Sequence, residues 1–158
     1  MKKILIVSVL ILNSFMAQNS IDNWTVNVYA KAKPINFNKN DYCKTLAARN
    51  NNPGNLRGIN NPHFRRFATL KEGYDALLHD IYIKQSGQSS HLKPNASLYE
   101  FIHVYAPAFE NNTNQYIKIV CNKLHITSTT KIKDIDKRDL ARAIIMVEDY
   151  ELYKIMYN

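Results

Sequence analysis

Glu148 is the first residue of this 158-residue chain whose type and setting suggest chemistry. In the segment LARAIIMVEDYEL, helical spacing puts Ala141, Ile144 and Ile145 behind it and Leu152 four positions ahead, so an acid lies on or beside an apolar stripe. A carboxyl in such surroundings is disfavoured as the anion, and the raised pKa suits a general acid. The competing reading is an acid at the edge of the stripe that keeps its carboxyl in water. Glu110, in AFENNT between two helices, is the second acid; its other reading is a partner for a turn or a helix dipole. The third stretch is RNNNPGNLRG, residues 49–58, with four asparagines, two arginines and a Pro53-Gly54 step. Pro-Gly sets a tight turn, and Asn tolerates left-handed backbone while bonding its own chain. The same amide and guanidinium groups could line a cleft for a polyhydroxylated ligand.

Other chemistries lack their motifs. There is no phosphate-cradling glycine loop, no serine nucleophile elbow and no zincin helix. His63, His79, His91, His103 and His125 form no paired motif, and Cys43 and Cys121 lack a C-x-x-C spacing, so no metal and no cofactor is expected.

Helices must position these residues. Thr69 and Glu72 form a capping pattern before Tyr74, Leu77, Leu78 and Ile81, which predicts a helix over about 70–85 that stops at Ser86-Gly87. Ser97 and Glu100 repeat the pattern before Leu98, Phe101, Ile102 and Tyr105, and Pro107 ends that helix. Asn112 or Thr113 caps a third helix with Tyr116, Ile119, Val120 and Leu124 inward. A fourth begins after Asp136, with Asp139 near the positive end of its dipole and Leu140, Ala143, Ile144 and Val147 on the core face. Strand signals are confined to WTVNVY (Trp24 to Tyr29) and the Arg66 to Thr69 edge. The expected architecture is mainly α, a single helical domain with few short strands.

The first residues, MKKILIVSVLILNSFMAQNS, read as a secretory signal peptide over 1–17, followed by an irregular leader over 18–40 and a domain over 41–158. The apolar run Ile4 to Leu12 is shorter than the roughly 20 residues a membrane-spanning helix needs, and no later segment resembles a span. Phe15 stands where a smaller residue usually precedes a cleavage site, which leaves the cleavage position open by a few residues, and an uncleaved anchor is the other reading of the segment. Export to the periplasm or beyond permits a disulfide between Cys43 and Cys121, against the alternative of two buried thiols. The net charge of +8 becomes +6 once Lys2 and Lys3 are removed. That balance favours an anionic partner such as a cell-wall polymer. The basic residues are scattered, without the dense tract that nucleic-acid binding would call for, so no nucleic-acid partner is expected.

Four segments together resemble a known family: RNNNPGNLRG, FRRFATLKEGYDALLHDI, YAPAFENNTNQYIKIVCNKL and LARAIIMVED. Their order and spacing are similar to a family of small phage virion-associated and bacterial proteins with the pattern R-N-N-N-P-G-N-I-R, F-x-x-F-x-x-x-x-x-G-x-x-A, W-A-P-P-x-E-N-x-T-x-x-Y and A-I-I-x-x-E-N-G, often labelled structural proteins. The same segments look like a lysozyme-type or glucosaminidase domain in permuted order, with the acid-bearing helix last instead of first. The resemblance implies a lysozyme-like α+β fold in which Glu148 comes to lie beside the RNNNPGNLRG loop. It implies a peptidoglycan glycan-strand hydrolase or lytic transglycosylase that cleaves β-1,4 bonds with Glu148 and Glu110 as catalytic acids, and with the signal peptide the expectation is an exported monomer. Asn51, Asn52, Asn55, Arg57, Tyr105, Asn112, Thr113 and Tyr116 would bind the glycan. The alternative it carries is a non-catalytic wall-binding or virion-type structural protein. This chain departs from the pattern in two places: Glu148 is followed by Asp149 and Tyr150 in place of Asn-Gly, and Tyr105 stands in place of the Trp.

Overall fold

The computed structural model describes residues 45–58 and 61–157, all within the unit Phe37–Asn158. The signal segment 1–17, the WTVNVY strand and Cys43 lie outside the described residues, and the expected disulfide does with it. Cys121 is a half-buried free thiol whose pKa burial raises.

The described chain is mainly helical: α1 (Leu46–Arg49), α2 (Leu70–Gln85), α3 (Leu98–Tyr105), α4 (Thr113–Leu124), α5 (Lys137–Glu148) and α6 (Tyr150–Tyr157). A short hairpin of β1 (Arg57–Gly58) and β2 (Asn61–Phe64) and a 3-10 turn (Ile132–Asp134) complete it. Among the described residues no helix is long and apolar enough to cross a membrane.

The helix starts follow the capping chemistry. Thr69 Oγ1 accepts from Glu72 N–H, while the Glu72 carboxylate reaches back to Ala68 N–H, one residue before the expected partner. At Ser97 the reciprocal box closes fully, with Glu100 accepting from Ser97 N–H at 2.7 Å. Asn112, not Thr113, caps α4; Thr113 is buried and donates to Ala106 O at 2.6 Å. Asp136 caps α5 by accepting from the N–H groups of Arg138 and Asp139.

The core lies where the apolar stripes of α2, α3, α4 and α5 converge. Leu77, Ile81, Leu98, Phe101, Ile102, Val120, Leu140, Ala143 and Ile144 are all fully buried. On α4 the inward residues are Tyr116, Ile117 and Val120, a shift from the expected Ile119 and Leu124, which are half-buried. Ile132 of the 3-10 turn is buried too, and Gln85 fixes the turn by donating to Ile132 O and Ile135 O at 2.7 and 2.8 Å.

The strands fall elsewhere than expected: they occupy Arg57–Gly58 and Asn61–Phe64, with Arg57 opposite Phe64, and the segment from Arg66 to Thr69 belongs to no strand. Arg65 N–H still donates to Leu56 O and Phe67 N–H to Asn50 O, so the chain leaving the hairpin continues to pair with the loop before it. α6 has no expected counterpart. Its Leu152 is buried against Ala47 and Ala48 of α1, with Leu70 and Met156 packed at the edge. The two ends of the described chain are thereby joined.

The loop over 49–58 rests on α2 at Gly73. A Cβ built at that glycine would stand 1.7 Å from the Asn51 carbonyl oxygen, a separation only hydrogen tolerates. In an exposed helix interior, Ala is favoured over Gly by about 1 kcal/mol. Gly73→Ala is expected to do the opposite and destabilise the protein by about 1–3 kcal/mol, because backbone has to move. Urea unfolding of the two proteins measures this, and a gain in stability would show that the loop does not rest on this helix.

Candidate active site

The asparagines of the loop divide their work. Asn51 and Asn55 both adopt left-handed backbone, φ +50° and +47°, which Asn tolerates better than other residues with a Cβ. Asn51 Nδ2 donates to Phe67 O and Ala68 O at 3.0 and 3.1 Å. Asn52 is fully buried: its Nδ2 donates to Leu56 O and Arg65 O, and its Oδ1 accepts from Leu56 N–H, all between 2.8 and 3.0 Å. Asn50 Oδ1 accepts from Arg66 Nε. Three of the four asparagines therefore hold the loop in shape, and Asn55 faces outward from it to Glu148.

Asn55 Nδ2 donates to Glu148 Oε2 at 3.0 Å, across 93 positions of sequence, and Tyr116 Oη donates to Glu148 Oε1 at 3.0 Å. The last turn of α5, the loop and α4 thus meet at one carboxyl. Asn55, Arg57 and Glu148 line a cavity of about 550 Å³ together with Tyr105, Glu110 and Asp80. Leu56, Phe64, Val104 and Asn111 complete its wall.

Burial raises the Glu148 pKa above the ordinary carboxylate value. The hydrogen bonds from Asn55 and Tyr116 and the charge of Arg57 pull the other way, and burial outweighs them. Tyr116 is itself buried, and desolvation, then the nearby Glu148 charge, push its hydroxyl well above its usual range, so it stays a proton donor to the acid.

Glu110 is placed differently from the expected second acid. It accepts from Arg57 Nη2 at 2.5 Å, and both side chains are partly exposed at the cavity wall, so its charge is already matched. Arg57 also lies 4.7 Å over the Phe64 ring, which fixes the guanidinium on both sides. Tyr105 lines the cavity, but its hydroxyl donates to Gly54 O and its ring stacks on Phe101, 5.7 Å between centroids. It braces the Pro-Gly turn more than it offers a free face. Asn51, Asn52, Asn112 and Thr113 are engaged in loop and cap bonds and do not line the cavity; Tyr116 does not line it either and meets the site through Glu148 and an edge contact with the Tyr105 ring.

Asp80 is the cavity residue that sequence reasoning passes over. Its i+4 partner Lys84 makes it look like an ordinary surface ion pair of α2. The available signal is helical: Asp80 lies two turns beyond Gly73 and one beyond Leu77, the face on which the loop rests.

Compared with known proteins, the chain matches no family model and no curated sequence. Among the described residues no cluster of His, Cys, Asp and Glu is placed to hold a metal ion.

The raised pKa of Glu148 has a consequence for stability. The folded protein holds this proton more tightly than the unfolded chain, so the stability associated with it is fully present below about 4.5, the ordinary glutamate value, and is lost as pH rises through the raised folded-state pKa. Glu148→Gln, which cannot ionise, is expected to flatten the stability curve in that window and to be about 1 kcal/mol more stable than the parent at neutral pH. Denaturant melts across the acid range test this; parallel curves for the two proteins would contradict a raised pKa.

Proposed function

We propose that the protein cleaves the β-1,4 glycan strand of peptidoglycan, with Glu148 as the general acid, in an exported domain of lysozyme-like type. The observation that carries this reading is a carboxyl whose pKa burial raises, held by Asn55 and Tyr116 on a cavity large enough for a sugar unit. Glu148 gives its proton to the glycosidic oxygen as the C1–O bond breaks, then takes a proton back before the next turnover. Asn55 and Arg57 provide amide and guanidinium groups at the wall, suited to acetamido and lactyl-peptide groups. The resemblance of RNNNPGNLRG and ARAIIMVE to lysozyme-type segments supports the same class, and the net charge of +6 left after removal of Lys2 and Lys3 favours residence on an anionic wall.

A second reading is a wall-binding or virion-type structural protein that keeps the cleft without the chemistry. The specific observation in its favour is that both Glu148 oxygens accept hydrogen bonds, an arrangement that also suits a held anion.

Incubation of the protein and of Glu148→Gln with purified peptidoglycan, with mass spectrometry of released fragments, separates the two. The parent is expected to release soluble muropeptide oligomers. The variant is expected to lose about 10²–10⁴-fold in rate, the usual contribution of a positioned general acid. The parent rate should fall as pH rises through the Glu148 pKa, since the reactive form is the protonated one. Pelleting of both proteins with the wall and no fragments from either would favour the binding protein.

A further inference from the structure

Arginines that are scattered along the sequence are gathered by the fold. From Thr45 to Lys71 the chain holds no Asp or Glu, and it carries Arg49, Arg57, Arg65 and Arg66, all exposed. Hydrogen bonds draw this segment into one platform. Arg65 N–H donates to Leu56 O at 2.8 Å, next to Arg57, and Asn52 Nδ2 donates to Arg65 O at 3.0 Å. Phe67 N–H donates to Asn50 O at 2.9 Å and Arg66 Nε to Asn50 Oδ1 at 3.4 Å, so Arg66 meets the end of α1 that carries Arg49. Of the four guanidinium groups only that of Arg57 has a carboxylate partner among the described residues, Glu110. Arg65 lies 4.7 Å over the Phe67 ring, a contact that orients a guanidinium without neutralising it. Glu72, the next acid along the chain, has its carboxylate on Ala68 N–H. Like charges gathered in this way repel one another, and an anion from outside relieves that repulsion. The platform is continuous with the cavity: Arg57 and Phe64, opposite each other in the hairpin, both line it, and Arg65 and Arg66 follow Phe64 directly.

We propose that this arginine platform binds the carboxylates of the peptide stems of peptidoglycan, beside the cavity that takes the sugar; the inference rests on the peptidoglycan reading above. A stem branches from the lactyl group of alternate sugars and carries several carboxylates, so a strand seated in the cavity brings them alongside the platform. The guanidinium fork matches a carboxylate with two parallel N–H donors, which a lysine cannot do. The phosphates of a nucleic acid would match the same forks, but the cavity that adjoins them is lined by Glu148, Glu110 and Asp80. Those acids repel a chain charged along its backbone. They tolerate a neutral sugar backbone whose charge sits on its branches. The unit recognised is therefore the peptide-substituted glycan, and not a bare sugar polymer.

The test is sedimentation of the protein with two forms of purified peptidoglycan, one untreated and one whose carboxyls have been converted to amides with carbodiimide and ammonia. The second form keeps the size of every stem and removes its charge. The proteins compared are the parent, the double variant Arg65→Gln/Arg66→Gln, and Lys131→Gln/Lys133→Gln, which removes the same charge from exposed residues on another segment. The parent is expected to bind untreated wall about tenfold more tightly than amidated wall. The arginine variant should lose about tenfold on untreated wall and bind the two forms within about twofold of each other, with an unchanged thermal midpoint; the lysine variant should follow the parent. Equal binding of the two forms by the parent, or equal weakening by the arginine and lysine variants, would overturn the platform and leave the glycan site standing. Displacement of the parent from untreated wall by a single-stranded oligonucleotide, lost in the arginine variant, would assign the surface to nucleic acid and overturn the inference. Carboxylate-dependent sedimentation without released fragments would support the platform and remove the cleavage reading alone, whereas a parent that sediments with neither form overturns both.

Discussion

The contact between Gly73 and the Asn51 carbonyl governs the rest of the site. Because no side chain separates α2 from the loop there, the backbone of residues 51–55 can lie directly on the helix. The second constraint at the same place is Gly54, where an added Cβ would meet Leu77 Cδ1 at 2.7 Å and the Tyr105 hydroxyl at 2.8 Å. Two glycines on facing segments thus let the loop sit close enough for the Asn52 amide to reach Leu56 and Arg65, and for Asn55 to point at Glu148. A loop one side-chain layer further away would leave Asn55 out of hydrogen-bond reach of that carboxyl.

The electrostatics of the site follow from this closeness. Glu148 is covered enough that desolvation outweighs two hydrogen bonds and an arginine, all of which favour the anion. Arg57 acts on Glu148 by its charge while it is paired with Glu110 and lies over the Phe64 ring. Placing an acid among apolar residues costs stability at neutral pH, where the free carboxyl would ionise.

What could be read from the chain was local, and what could not was tertiary. The starts of α2, α3, α4 and α5 are announced by side chains that bond the backbone within three residues, so Thr69, Ser97, Asn112 and Asp136 are visible without any partner. The hairpin at Arg57–Phe64 carries no alternation of apolar and polar residues, and its short strands are held by the loop more than by propensity. α6 follows α5 after a single residue, Asp149, so helical periodicity runs on through the break. The juxtaposition of Asn55 with Glu148 could be anticipated only through the resemblance, since no local pattern links positions so far apart. Asp80 was hidden for the opposite reason: its local pairing with Lys84 already gave it a sufficient explanation.

The two residues after Glu148 show why the departure from Asn-Gly leaves the acid in place. Tyr150, which stands where the pattern has its glycine, is helical and without a positive φ, so no glycine is needed to turn the chain there, and Asp149, in the Asn position, has extended backbone at φ −157°. Its carboxylate does two structural jobs: Oδ1 accepts from Leu152 N–H at 2.9 Å and starts α6, and Oδ2 accepts from Thr45 Oγ1. Thr45 in turn caps α1, the helix that leads directly into the asparagine loop. The side chain next to the acid thereby fixes the start of the segment that carries Asn55, while its backbone N–H still donates to Ile145 O and closes α5. Tyr150 is directed away from the core, more than half exposed, and stacks on Tyr153 at 6.0 Å, so its bulk lies outside the cavity wall. In this chain a buried aspartate ties the acid-bearing helix to the loop-bearing segment through hydrogen bonds, a connection that does not depend on the conformational freedom of a glycine.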